Sequence, residues 1–289
     1  MQETEYWLCA SGEVEHVYAA EAGSDLYAKA MYAVWALQIL CPTGAKHVFL
    51  LLHDTGDGFD NLESLHPKPL LSTLMGRLAS REGMGLEKHF EPIYAGVQRA
   101  FTEKMIRLVN PIVLLEHGMQ SDNVNISSLL CVMALDMLFM AGQTNPFLKR
   151  LGGFLGLSTF VFPPDSWECR PSPVVAEVIG DLYEFRNIIA HGQQIPSKPY
   201  LEPYNLTCTT GPRVIDRAYR YDQLMQESAR FMLTATLRKI FIDGLVDDVK
   251  DDRTWGSKLA SSGESVGNWG LSAGGFVRKR WSLRQVGIE

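Results

Sequence analysis

The chain has 289 residues, 46% of them hydrophobic and 21% charged, and a formal net charge of −6. That length and balance suit an ordinary globular protein of one or two domains with a sizeable core. The negative charge excludes a global basic field that would gather nucleic acid, so any RNA contact has to come from a local patch.

The first 87 residues are the least regular part. Tyr6 to Ala20 suits a short hairpin turning at Ser11-Gly12, and Asp25 to Leu40 reads as a helix. Lys46 to Leu52 fits a buried strand or a short helix, since a short apolar run has no decisive period. His53 to Pro69 is a loop rich in Gly, Asp and Pro, and Leu70 to Ser80 is helical in pattern. The loop carries His53, Asp54, Asp57 and Asp60 but lacks the spacing and closing Glu of a calcium loop. This region is expected to be a small α or α+β unit of unassigned role.

From residue 88 the pattern is helical, and the expected class is mainly α: a helical bundle over residues 88–245. Lys88 to Leu108 is a candidate helix, continued by Pro111 to His117 after a break at Asn110-Pro111. Ser127 to Ala141 is strongly apolar, with Gly142 as its stop. Pro146 to Leu155 is shorter and is weakened by Gly152 and Gly153. Residues 157–172 and 193–212 hold most of the remaining prolines and read as loops on either side of a helix from Pro173 to His191. Val214 to Phe241 is the last long helix. Its stretch 213–239 carries Arg213, Arg217, Arg220, Arg230, Arg238 and Lys239 and reads as a solvated face or a local basic patch. Beyond residue 246 the composition turns polar and then rich in Gly and Ser, which predicts a flexible tail ending in Arg278, Lys279, Arg280 and Arg284 beside Trp281.

The five cysteines, Cys9, Cys41, Cys131, Cys169 and Cys208, are odd in number, and no two have C-x-x-C spacing. They read as reduced thiols, and with an acidic start at Gln2-Glu3-Thr4-Glu5 they suggest a cytoplasmic protein. The longest apolar run, Ala30 to Cys41, is too short to span a bilayer, so no membrane partner is expected.

The informative stretch is Leu182-Tyr183-Glu184-Phe185-Arg186-Asn187-Ile188-Ile189-Ala190-His191-Gly192. On a helical wheel Val175, Val178, Ile179, Phe185 and Ile189 fall within about 60° of Leu182 and form a core stripe. Glu177, Asp181, Glu184 and His191 fall opposite, on the wet face, and Asn187 stands one turn before His191. Arg186 lies about 40° from Leu182, at the edge of the stripe. A guanidinium there needs either an internal carboxylate or an external anion. The internal candidate is Asp136, alone among apolar residues in Cys131-Val132-Met133-Ala134-Leu135-Asp136-Met137-Leu138.

An Arg, a polar residue, three further residues and a His at the end of an apolar helix resemble the signature of the HEPN superfamily. The flanking pattern is most similar to its Apea-like branch, which also carries an acid in an apolar helix before the motif. The resemblance covers residues 115–245. It implies a small helical domain that dimerises so that two motifs face one cleft, and a metal-independent endoribonuclease of the toxin–antitoxin or antiviral kind. By the same resemblance the alternative is a non-catalytic module for RNA or nucleotide binding or for dimerisation. His191 would be the general acid or base, Arg186 the phosphate ligand, and Asn187 would orient His191 or the phosphate. Asp136 would support them; Tyr183, whose role the family does not fix, reads as core packing or as a group to stack a base or hydrogen-bond a phosphate. No cofactor or metal is implied, and the partners would be RNA or a nucleotide, a second copy of the chain, and an antitoxin or regulatory protein.

Overall fold

The computed structural model describes residues 20–40, 87–121, 123–159, 175–192 and 221–264. Among these the chain is mainly α and contains no strand. The expected hairpin at 6–20, the strand or helix at 46–52, the helix at 70–80 and the loop at 193–212 lie outside the described residues.

The chain divides into two units, residues 1–102 and 103–289. In the first, α1 (Ala20–Leu40) pairs with α2 (Glu87–Thr102). Trp35 stacks on Phe101 with ring centroids 4.3 Å apart, and Tyr32 leans on both rings. Ala36, Ile39, Ile93, Val97 and Ala100 close the seam. Residues 87–102, expected to open the helical bundle, therefore group with α1.

The second unit begins at a turn in which Lys104 takes a left-handed φ of 53°. That turn is where the helical pattern breaks, and not at Asn110-Pro111 as the proline suggested. Pro111 sits inside α3 (Ile106–Gln120), where it is buried. α4 (Val124–Phe139) follows, started by Asn123, whose Oδ1 accepts from the backbone amides of Asn125 and Ile126. α5 (Thr144–Leu155), α6 (Val175–Ala190) and α7 (Tyr221–Ile242) complete the bundle.

α4 is apolar on nearly every side because it is central, touching α3, α5, α6 and α7. Cys131, Val132, Ala134, Leu135, Leu138 and Phe139 are fully buried. The motif helix α6 buries Val175, Val178, Ile179, Leu182 and Phe185 against it, as the wheel predicts. Asp181, placed on the wet face by the same wheel, is only 3% exposed. A wheel drawn against a single core direction misses the second packing direction that α6 meets, with α5 and α7 as well as α4.

The core holds one strongly polar centre, and α7 supplies it. Arg230, expected on a solvated face, is 5% exposed. Its Nη2 donates to the Gly118 carbonyl at 2.7 Å and its Nε donates to Ser127 Oγ at 3.0 Å, tying α7 to the end of α3 and the start of α4. Ser127 Oγ in turn donates to the same Gly118 carbonyl at 2.6 Å. Gly118 is needed at this crossing, since a Cβ there would stand 2.9 Å from Cys131 Sγ. Burial pushes the Cys131 thiol up to about 12, so this cysteine stays protonated. Glu227, one turn before Arg230, is buried with Oε2 lacking a hydrogen-bond partner among the described residues.

Residues 246–264, expected to belong to a flexible tail, are helical. α8 (Val246–Lys250) and α9 (Asp252–Glu264) turn back onto the bundle. Asp251 caps α9 by accepting from the Thr254 amide at 2.8 Å. Trp255 and Leu259, one turn apart, are fully buried, and α9 runs along α5. The glycines that weaken α5 as a helix allow this approach, because a Cβ on Gly153 would lie 2.0 Å from the Ser262 carbonyl. Arg107 clamps the same segment, with Nη2 at 2.7 Å from Asp252 Oδ1.

Two predictions follow from this packing. Gly153→Ala forces α9 away from α5 and should cost about 1–3 kcal/mol by urea unfolding. It should also open the chain to proteases between residues 246 and 264; unchanged stability and protection would refute the close approach. Burial raises the Glu227 carboxyl from its ordinary 4.5 to about 7, opposed by the Arg230 charge. Because the folded value lies above the unfolded one, the folded state keeps a proton that the unfolded chain releases. Stability should therefore fall as pH rises from about 4.5 to about 7 and level off above that, by about 3 kcal/mol in all. Glu227→Gln should flatten this slope, and an unchanged pH profile of unfolding would count against a strained carboxylate.

Candidate functional site

α6 and α4 bring four of the five sequence-predicted residues together. Arg186 Nη2 lies 3.8 Å from Asp136 Oδ2, so the ion pair expected between the two helices is present but long. Arg186 Nη1 donates to Asn187 Oδ1 at 2.8 Å. The guanidinium carbon stands 5.4 Å from the centre of the Tyr183 ring. Tyr183 is buried at 3% exposure, and its ring packs on Phe147 of α5 at 4.8 Å. Burial raises the Tyr183 phenol above its ordinary value, the Asp136 carboxylate adds to this, and Arg186 opposes it.

The guanidinium is held but not exhausted. Its Nε is buried and has no hydrogen-bond partner among the described residues. The contact with Asp136 exceeds ordinary charge-assisted hydrogen-bond length. The Arg186 side chain keeps 26% exposure and that of Asp136 keeps 15%, so the pair does not sit in a dry core. On α4 the acid is flanked by Met133, Met137 and Met140, each more than a third exposed.

Asp136 is fixed by more than Arg186. Its Oδ1 accepts from the Gly142 amide at 3.0 Å, which fastens the carboxylate to the turn after α4. α4 ends at Phe139, and Met140 takes the left-handed conformation at φ 49°. Gly142, expected as the stop, follows two residues later with φ 60°.

His191 is the member that the described contacts do not join to the others. It follows the last residue of α6, is exposed, and its backbone amide donates to the Asn187 carbonyl at 3.0 Å. Its imidazole makes no hydrogen bond or ion pair among the described residues. Asn187 turns its side-chain oxygen to Arg186. Gly192, at φ 63°, closes the helix immediately after the histidine.

Of the expected basic patch, Arg230 is internal. Lys239 Nζ donates to the Phe154 carbonyl at 2.9 Å, and the Arg238 guanidinium stands 5.7 Å from the Phe231 ring centre. Arg213, Arg217 and Arg220 lie outside the described residues. No group of three or more His, Cys, Asp or Glu side chains suited to a metal occurs among the described residues. No single helix among them is long and apolar enough to cross a membrane.

Set against known proteins, the chain matches no family model, no curated protein and no solved structure.

A double-mutant cycle tests the α4–α6 pairing. Asp136→Ala and Arg186→Ala should couple by about 0.5–1 kcal/mol in urea unfolding, with the coupling reduced in 1 M salt. Strictly additive losses would mean that the two side chains do not feel each other.

Proposed function

We infer that residues 103–264 include a HEPN-type module that takes an RNA phosphate on Arg186, and that it acts as a metal-independent endoribonuclease with His191 as the acid–base group. The observation that carries this reading is the under-satisfied guanidinium. Arg186 is positioned by Asn187 and Tyr183, is only loosely paired with Asp136, and keeps a buried donor without a partner. An anion with several acceptor oxygens fits such a group better than a single carboxylate does.

In this reading the substrate's own 2′-hydroxyl attacks the adjacent phosphorus. A neutral His191 takes the hydroxyl proton, and Arg186 stabilises the charge that grows on the phosphoryl oxygens. The 5′-oxygen leaves with a proton supplied by an imidazolium, and the product ends in a 2′,3′-cyclic phosphate. In a homodimer of the kind the HEPN resemblance implies, the second copy's motif faces the same cleft and supplies the second imidazole. The burial of Asp181 favours this reading, because a carboxylate on the same wet face as His191 would repel a phosphate and Asp181 is turned away from it.

One observation favours the second reading, a module that binds without cleaving: among the described residues the His191 imidazole makes no hydrogen bond or ion pair with the Arg186 cluster.

The test is digestion of total RNA and tRNA by purified protein in EDTA, comparing wild type with Arg186→Ala and His191→Ala. Cleavage should leave cyclic-phosphate ends, and each substitution should slow it about 100-fold or more. RNA binding that survives His191→Ala but not Arg186→Ala, with no cleavage by any variant, would establish the non-catalytic module. Intact RNA that the wild type does not bind would remove both readings.

A further inference from the structure

The end of α4 that carries Asp136 is held from outside the helix. The carbonyls of Leu138, Phe139 and Met140 receive side-chain hydrogen bonds from two other helices. Trp255 Nε1 on α9 donates to Leu138 at 2.6 Å. Arg150 Nη1 on α5 donates to Phe139 at 2.8 Å and to Met140 at 2.6 Å. The Trp255 ring is fully buried, edge-on to Phe154, which is itself edge-on to Phe139. The amide that would normally bond Leu138, that of Gly142, goes instead to Asp136 Oδ1. The last turn of α4, its outgoing turn and the Asp136 carboxylate therefore form one pinned unit, and Trp255 and Arg150 are its pins.

Pinning matters because of the 3.8 Å between Asp136 Oδ2 and Arg186 Nη2. Opposite charges this close attract, and a free last turn would let the carboxylate close to ordinary hydrogen-bond length. The closed pair would then use the donors that an external anion needs. We propose that Trp255, seconded by Arg150, is a positioning residue of the Arg186 site: by holding the last turn of α4 it stops Asp136 short of a close bridge and leaves the guanidinium open to a phosphate. The proposal rests on Arg186 as the phosphate ligand. It makes residues 246–264, polar in composition and remote from the motif in sequence, part of the site's frame.

The experiment measures binding of a fluorescent 2′-O-methyl RNA oligonucleotide, which cannot undergo 2′-hydroxyl attack, by full-length protein. Trp255→Phe keeps a ring against Phe154 and removes only the donor to Leu138. It should weaken binding about tenfold, and adding Asp136→Asn in the same chain should restore it, because the competing charge is gone. A lesion that merely loosens the core would not be rescued by a second change at Asp136. Arg150→Met, which keeps the apolar stem, should show the same loss and the same rescue, and it carries the test if Trp255→Phe does not fold. Wild-type binding by folded Trp255→Phe and Arg150→Met, or a loss that Asp136→Asn leaves in place, overturns the positioning role while Arg186 keeps its own. Equal binding by wild type and Arg186→Ala overturns the phosphate reading, and the positioning role with it.

Discussion

The second unit depends on burying α4 from almost every direction. A helix packed in this way gains apolar burial along its length and still has polar groups at both ends to satisfy. Each end here is met by side chains from elsewhere in the chain. At the start, Asn123 caps the first turn, and Arg230 binds Ser127 and the Gly118 carbonyl. At the finish, Trp255 and Arg150 bind the last carbonyls. These bonds reach across more than 100 residues from α7 and α9, so the bundle is complete only when the C-terminal helices have returned to it.

Two arginines show how burial decides a role. Arg230 is enclosed, with two of its nitrogens bonded to neutral acceptors, and burial lowers the guanidinium from its ordinary value. A charge in that position is committed to holding three helices together and has no route to a ligand. Arg186 sits at the rim of the same core, a quarter exposed, with a long ion pair and an idle donor. The two are alike in sequence, each an Arg within an amphipathic helix. Only the arrangement of the helices separates the staple from the candidate site.

That contrast also marks what the sequence made legible. The Asp136–Arg186 pairing could be read because Asp136 was a lone charge in an apolar run and Arg186 stood at the edge of a core stripe, so each needed a partner that the other could supply. The core stripe of α6 could be read because its period is regular. Asp181 was misplaced because a wheel supplies a single inside, and a helix touching several neighbours has more than one; Arg230 was misplaced because the charges of 213–239 were read as one run and not residue by residue. The segment 246–264 was misread because composition averages hid its pattern. Asp251 and Thr254 form a helix start, and Trp255 and Leu259 stand one turn apart behind it. That signal was present, but it was diluted by Gly and Ser. The clamp on α4 had no local signal, since an indole and a carbonyl 117 residues apart meet only in the fold.

The distribution of charge bears on how such a module would meet RNA. The chain is acidic overall, and of the basic residues on α7, Arg230 is enclosed and Lys239 is tied to a backbone carbonyl. Neither of these two is therefore free to build the broad positive field by which many proteins hold nucleic acid. On the proposed reading, recognition would come from placement: a guanidinium at the rim, set by Asn187 and Tyr183 and kept open by a carboxylate held at a distance. A site of that kind tolerates few errors in the position of its parts. On that reading, this demand for placement would be the physical reason for fastening the end of α4 with an indole and a guanidinium.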